Sequence, residues 1–285
     1  MSLSASDLHS GSLFSLQGKT AVLTGASGFL GRTFARALLV NGARVVALGR
    51  SERLQREAEQ WAKEFGADKV LAHRIDMYDV SALAELLQRI AAEEQCIDIL
   101  INNAHELGSA TGFNVPEGSL ENADMEIWMR NLTGGVYWAA LTTQKLGAKM
   151  KAQNSGSIIN VSTMYALVAP RPQLYEGTDY INPPGYSASK AALLSFTRYI
   201  ASFWGAHGIR ANAILPGPFS NTEDIAGANS VNENSPFLER LKSYTCLGRI
   251  GRPDDLAGAL LLLASDASSF MTGQAIVVDG GWTAI

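Results

Sequence analysis

Only two cysteines, Cys96 and Cys246, occur in 285 residues, and their spacing fits neither a metal cluster nor a disulfide framework. The four histidines, His9, His73, His105 and His207, are as scattered and show no metal-ligand spacing, so no metal site is expected. No apolar run reaches the ~18 residues that a membrane span requires. Residues 1–15 are serine-rich and lack the apolar stretch of a secretory leader, which sets the expectation of a cytoplasmic chain with a loosely ordered polar tail. A formal net charge of −4 offers no basic excess for nucleic acid or an anionic membrane. Repeats, low-complexity tracts and linker-like shifts in composition are absent too, so 16–285 reads as one domain.

What the chain does have is alternation. Short apolar runs at 20–24, 44–48, 70–75, 97–101, 157–161, 210–215 and 275–278 read as strands buried on both faces. Helical patterns separate them, for instance at 53–65, 80–94, 124–151, 187–206 and 253–265, the last opened by Pro253 and two aspartates. This order predicts an α/β fold, a doubly wound parallel sheet of about seven strands with helices on both faces. Its ligand crevice should lie at the C-terminal strand ends.

Two motifs fall at that crevice. The first strand runs into Gly25-Ala26-Ser27-Gly28-Phe29-Leu30-Gly31, after which helical periodicity begins. Strand, glycine turn and helix is the context of a dinucleotide-binding loop. The glycines admit the pyrophosphate to the backbone, and free N–H groups at the helix start favour its charge. Further on, Tyr186 and Lys190 stand four residues apart in a helical run, on one face and one turn apart. A nearby ammonium favours the phenolate, so the expectation is a lowered Tyr186 pKa and a tuned proton donor or acceptor.

Together these motifs resemble the short-chain dehydrogenase/reductase family, over nearly the whole chain from about Leu16 to Ile285. Asp76-Met77 matches that family's adenine contact and Asn102-Asn103-Ala104 its asparagine turn. Asn131 matches the helix asparagine, Ser162 the catalytic serine, and Pro216-Gly217, with Phe219 beyond, the turn over the nicotinamide. Val278-Asp279-Gly280-Gly281 matches the C-terminal signature. The resemblance implies a Rossmann-type oxidoreductase moving a hydride between a nicotinamide cofactor and a carbonyl or alcohol. Tyr186 would carry the proton, Ser162 would hold the substrate oxygen, Lys190 would grip the ribose, and Asn131 would hold a relay water. Cofactor contacts would come from Gly25, Ser27, Gly28, Phe29, Leu30, Gly31, Asp76, Met77, Asn103, Ala104, Tyr186, Lys190, Pro216, Gly217 and Phe219.

Four departures stand out. The glycine spacing is similar to the epimerase branch, which keeps a sugar-nucleotide epimerase or dehydratase as an alternative. His105 replaces a glycine after Ala104, and both pocket lining and simple packing remain open for it. Ser162 and Tyr186 stand 24 positions apart, which is long for the family. A threonine expected just after Pro216-Gly217 is offset, leaving Ser220, Asn221 and Thr222 as candidates for its role. A 3-oxoacyl thioester reductase and a non-catalytic dinucleotide sensor are the other readings.

The second strand ends at Leu48-Gly49-Arg50 without the ribose-binding carboxylate of NAD enzymes, and a guanidinium at Arg50 suits a 2′-phosphate; NADP(H) is expected over NAD(H). The 166–185 insert, with Arg171, Gln173, Tyr175, Glu176, Asp179 and Tyr180, and the 218–245 loop suggest a small sugar-like substrate. Pro170, Pro172, Pro183 and Pro184 favour a defined insert. Trp128, Val136, Trp138, Phe196 and Phe203 give the two long helices apolar surface that predicts a homodimer or homotetramer.

Overall fold

The computed structural model describes residues 9–221 and 235–285. Seven strands, β1 (Thr20–Thr24), β2 (Arg44–Gly49), β3 (Val70–Arg74), β4 (Ile99–Asn102), β5 (Gly156–Val161), β6 (Ile209–Pro216) and β7 (Ala275–Val278), form one sheet. Their order is β3-β2-β1-β4-β5-β6-β7 and every pairing is parallel. The winding reverses between β1 and β4, which opens a crevice at their C-terminal ends.

Nine helices accompany the sheet among the described residues: α1 (Ser10–Leu13), α2 (Phe29–Val40), α3 (Arg53–Phe65), α4 (Val80–Glu93), α5 (Met125–Leu132), α6 (Trp138–Gln153), α7 (Pro184–Trp204), α8 (Pro236–Ser243) and α9 (Ala257–Ala264). Local chemistry sets several boundaries. Asp79 and Asp124 cap α4 and α5 by accepting from the N–H of Ala82 and Ile127, both at 2.9 Å. Gly42 (φ 96°) and Gly66 (φ 111°) turn the chain after α2 and α3 in a conformation that other residues rarely adopt.

The period-two pleat divides the core. Ala21 and Leu23 of β1 face a cluster built with Phe34, Leu38, Trp61 and Leu260, while Val22 between them faces Leu87, Leu146 and Ile200. Both faces are therefore covered, as the continuous apolar strands require.

The structure alters some expected boundaries. The strand expected from residue 97 starts at Ile99. The helix expected over 124–151 is interrupted by a π-helical turn, Thr133–Tyr137, at the Gly134-Gly135 pair, where backbone freedom is greatest. The run expected over 253–265 opens as a 3-10 turn, Pro253–Leu256, before α9. Within the expected loose tail, residues 10–13 form a helical turn and residues 1–8 lie outside the described residues. No helix among the described residues is long and apolar enough to cross a membrane.

Candidate active site

The β1–α2 turn forms the floor of the crevice. Gly25 has φ 67°, and a Cβ there would stand 2.9 Å from Ala104 Cα. A Cβ at Gly31 would drive into the Gly25 carbonyl, so both glycines let backbone approach backbone. Thr24 Oγ1 accepts from the N–H groups of Asn103 and Ala104, each at 3.0 Å, and Asn103 Nδ2 donates back to Thr24 O at 3.0 Å. The glycine loop and the asparagine turn are thus joined as one rigid rim. No side chain caps the N-terminus of α2, which leaves its N–H groups available to an anion.

The rim bounds a cavity of about 410 Å³. Every residue assigned to cofactor binding from sequence lines it: Gly25, Ser27, Gly28, Phe29, Leu30, Gly31, Arg50, Asp76, Met77, Asn103, Ala104, Tyr186, Lys190, Pro216, Gly217 and Phe219. The cradle of glycines and bare N–H groups fits a dinucleotide. At its outer end Arg50, 60% exposed, pairs with Glu106 at 2.9 Å. Glu106 also binds Arg130 at 2.7 Å. Burial opposes ionisation of Glu106, yet Arg130 and Arg50 together hold its carboxyl below the usual value. The Arg74 guanidinium donates to Arg50 O at 3.0 Å and so stands beside the same corner. Sequence reading missed Glu106 and Arg74. Position next to His105 was the only signal for Glu106, and pairing with β2 brings Arg74 in from β3.

Ser162, Tyr186 and Lys190 line the inner end of this cavity. Ser162 Oγ donates to the Lys190 carbonyl at 2.9 Å, and Lys190 Nζ donates to the Val161 carbonyl at 2.9 Å. These two bonds clasp the end of β5 to α7. The Tyr186 ring is held edge-on by His105, at 5.0 Å between centroids, and by Phe113 at 5.2 Å.

The expected lowering of the Tyr186 pKa is not what the structure shows. Burial pushes the phenol up to about 12, against a hydrogen bond with Thr163 and with the help of Tyr175. Burial also pushes the Lys190 ammonium down to about 7. Taking both groups out of water penalises both charges.

Asn131 departs from expectation in another way. It does not line the cavity but sits fully buried behind it, with Nδ2 donating to Thr111 O at 2.8 Å and Ile127 O at 2.9 Å. Its Oδ1 is buried without a protein partner.

His105 lines the cavity, settling the choice left open for it. Both its ring nitrogens are shut off from solvent without a hydrogen bond of normal geometry. Burial, then the Lys190 charge, pulls its pKa well down, so it is a neutral wedge between Tyr186 and the π-helical turn. A Cβ added to Gly134 would stand 3.6 Å from His105 Nδ1, showing how closely that turn receives the ring.

A second cavity, of about 190 Å³, adjoins the first and shares Leu107, Thr163, Tyr186, Gly217 and Phe219 with it. The 166–185 insert supplies much of its far wall, but only its second half. Tyr175, Tyr180, Ile181 and Asn182 line the cavity, whereas Arg171, Gln173, Glu176 and Asp179 do not. Leu174 is fully buried among Met164, Leu238, Leu241 and Trp282, which anchors the insert. Arg171 lies over Tyr244 at 4.7 Å and donates to Ile285 O at 2.8 Å. Across the mouth Asn114 Oδ1 accepts from Ile181 N at 3.1 Å. From the 218–245 loop, Pro218, Phe219, Ser220, Phe237 and Leu241 line this cavity; Thr222 lies outside the described residues. Thr163, Phe113 and Asn182 were missed from sequence. Thr163 adjoins Ser162 in the chain, but the other two carry no local signal.

A doubly wound sheet with a glycine cradle beside a buried serine, tyrosine and lysine defines a nicotinamide-dependent oxidoreductase. The chain belongs to the short-chain dehydrogenase/reductase family: a family model described as enoyl-(acyl carrier protein) reductase matches residues 25–283. The chain is 35% identical to a sorbose reductase of Schizosaccharomyces pombe, over 95% of this chain and 98% of that protein. It is 33% identical to a cis-4-hydroxycyclohexanecarboxylate dehydrogenase of Sinomonas cyclohexanicum, over 94% and 97%. A crystal structure of a gluconate 5-dehydrogenase from Burkholderia cenocepacia in complex with NADP and tartrate superposes with a TM-score of 0.81 at 27% identity, covering 97% of this chain and all of that one. The protein is thus an NAD(P)-dependent short-chain dehydrogenase acting on a carbonyl or alcohol.

Proposed function

We propose that the protein interconverts a secondary alcohol and a ketone on a small sugar-like molecule, with NADP(H) preferred over NAD(H). The observation that carries this reading is the position of Tyr186 in the wall common to two adjoining cavities, a glycine-floored one and a small polar–aromatic one. A bound nicotinamide cofactor supplies or accepts the hydride. In reduction the carbonyl oxygen takes the Tyr186 proton, and with its pKa near 12 the phenol is fully protonated at neutral pH. In oxidation Tyr186 first gives up its own proton toward Lys190 and the relay water, and the resulting phenolate takes the alcohol proton while the alcohol carbon loses the hydride. Ser162 Oγ turns from the Lys190 carbonyl to donate to the substrate oxygen, stabilising its developing charge. Lys190 stands ready to hold the cofactor ribose. Asn131 Oδ1, buried and unpartnered, accepts from a water that passes protons toward Lys190.

Arg50 supports the NADP(H) preference, because its guanidinium offers a 2′-phosphate paired hydrogen bonds once Glu106 is exchanged for it; Arg74, paired with Glu52, stands beside it. The polar tail and the oxidoreductase domain divide near residue 16, and the reaction is assigned to the cytoplasm. Assembly as a homodimer or homotetramer is supported by exposed apolar side chains. Met125 (75% exposed) and Met129 (50%) lie on α5, and Tyr199 and Phe203 stack on α7 at 4.2 Å. Trp138, expected in that surface, is instead buried against Tyr78. The test is oxidation or reduction of added nicotinamide cofactor with a panel of polyols, ketoses and 3-oxoacyl thioesters. Turnover confined to the thioesters would reject the sugar-like reading, and the small second cavity, below the ~300 Å³ typical of drug-sized sites, predicts against it.

A further inference from the structure

The relatives named above divide by substrate charge: a sorbose reductase takes a neutral sugar, while a hydroxycyclohexanecarboxylate or a gluconate is an anion. The substrate cavity itself decides between these classes. Among the described residues lining it there is no lysine, arginine, histidine, aspartate or glutamate. Its polar side chains are all neutral, among them Asn114, Thr163, Tyr165, Tyr175, Asn182 and Ser220. Burial raises the pKa of Tyr165 and Tyr175, so both phenols stay uncharged at neutral pH.

The cations that could have met a carboxylate are engaged elsewhere. Arg171, the one arginine of the insert, lies over Tyr244 and bonds the Ile285 carbonyl. Arg240 on α8 donates to the main chain of the insert, to Leu174 O at 3.1 Å. Lys190 lines only the adjoining cavity and donates to Val161 O. The segment 222–234, outside the described residues, has no lysine, arginine or histidine in its sequence, only the acids Glu223, Asp224 and Glu233.

Asn182 sharpens the point. Its Oδ1 is buried with no protein donor. A buried acceptor without a donor is unfavourable. A hydroxyl supplies that donor. A carboxylate is acceptor-only, would face Oδ1 with like polarity, and would lose its hydration with no cation in return. The stacked Tyr180 and Phe237 rings, 4.2 Å apart, offer the apolar surface that the C–H face of a sugar or polyol covers.

We propose that this cavity is a subsite for an uncharged polyol or ketose, that Asn182 Oδ1 accepts a hydrogen bond from a substrate hydroxyl, and that Asn182 is a specificity-determining residue which excludes sugar acids. The proposal rests on the sugar-like dehydrogenase reading above.

The experiment compares kcat/KM, with saturating NADP(H) or NAD(H), for hexitols and 2-ketohexoses against hexonates and ketohexonates of the same chain length. Neutral substrates are expected to be favoured by roughly a hundredfold or more. Asn182→Ala should raise KM for the best neutral substrate about tenfold with kcat nearly unchanged and cofactor affinity intact. Asn182→Lys should move the hexonate-to-hexitol ratio upward by about tenfold, a change that mere loosening of the insert would not produce. Equal or better turnover of the acids by the wild-type protein overturns the proposal while leaving the dehydrogenase reading in place. So does an Asn182→Ala variant with an unchanged KM. Intact cofactor binding with no turnover of any sugar, neutral or acidic, overturns the sugar-like reading and this inference together.

Discussion

The two adjoining cavities are built on opposite principles. The cofactor cradle is made of backbone: Gly25, Gly28 and Gly31 lie within seven residues, and Asn103 and Ala104, which pack on Gly25, directly follow the neighbouring strand. The substrate cavity is made of side chains from four distant stretches, around 107–114, 163–186, 217–220 and 237–241. Backbone recognition needs glycine at set positions, so it leaves a readable trace. Side-chain recognition depends on which way each residue turns, and a loop can turn its residues either way.

The largest test of this contrast removes the group that both cavities share. Tyr186→Phe keeps the ring between His105 and Phe113 but removes the proton. Turnover should fall by roughly 10²-fold or more, while NADPH affinity measured by fluorescence titration stays the same. Most of the wild-type rate surviving would place the proton donor elsewhere.

Leu174→Ala attacks the substrate side alone. Loss of this fully buried side chain should lower stability by about 2–5 kcal/mol. Loosened in this way, the insert should raise the Michaelis constant for substrate more than the dissociation constant for cofactor. Equal rises in the two constants would mean that the insert is no separate substrate wall.

On the cofactor side, Arg50→Ala should weaken NADPH binding about tenfold and leave NADH binding almost unchanged. Calorimetric constants that stay the same for both cofactors would remove Arg50 from the 2′-phosphate corner.

The last test concerns Lys190. Its folded-state pKa, near 7, lies below the ordinary lysine value of 10.5. Below pH 7 both folded and unfolded chains hold the proton, and the full cost of the buried ammonium is present. Between pH 7 and about 10 the unfolded chain binds more protons, so folded stability from this group rises with pH. Wild type should therefore gain stability relative to Lys190→Met across that interval, in chemical denaturation at each pH. A constant difference would show that the ammonium is not lowered by burial.

Legibility followed the same division. Strand positions were readable because a parallel sheet buried on both faces demands short continuous apolar runs, and those runs lie where β1 to β7 lie. The 124–151 helix was misread as continuous, since glycines at 134 and 135 permit a π-helical turn without announcing one. For the insert, composition suggested that Arg171, Glu176 and Asp179 would meet substrate. With Leu174 anchored and Asn114 bonded to Ile181, the insert turns Tyr175 and Tyr180, also expected there, and the unexpected Asn182 to the cavity, and leaves the charged residues off it.

By itself the sequence determined the sheet, the glycine cradle and the pairing of Tyr186 with Lys190 on one helix face. Each depends on contacts between residues close in the chain or on a repeating period. Only the tertiary structure decided the ionisation of that pair, the neutral wedge at His105, the Glu106 bridge to Arg50 and the uncharged lining of the substrate cavity. Those properties depend on exclusion of water and on side chains brought together from remote segments, and no local spacing encodes either.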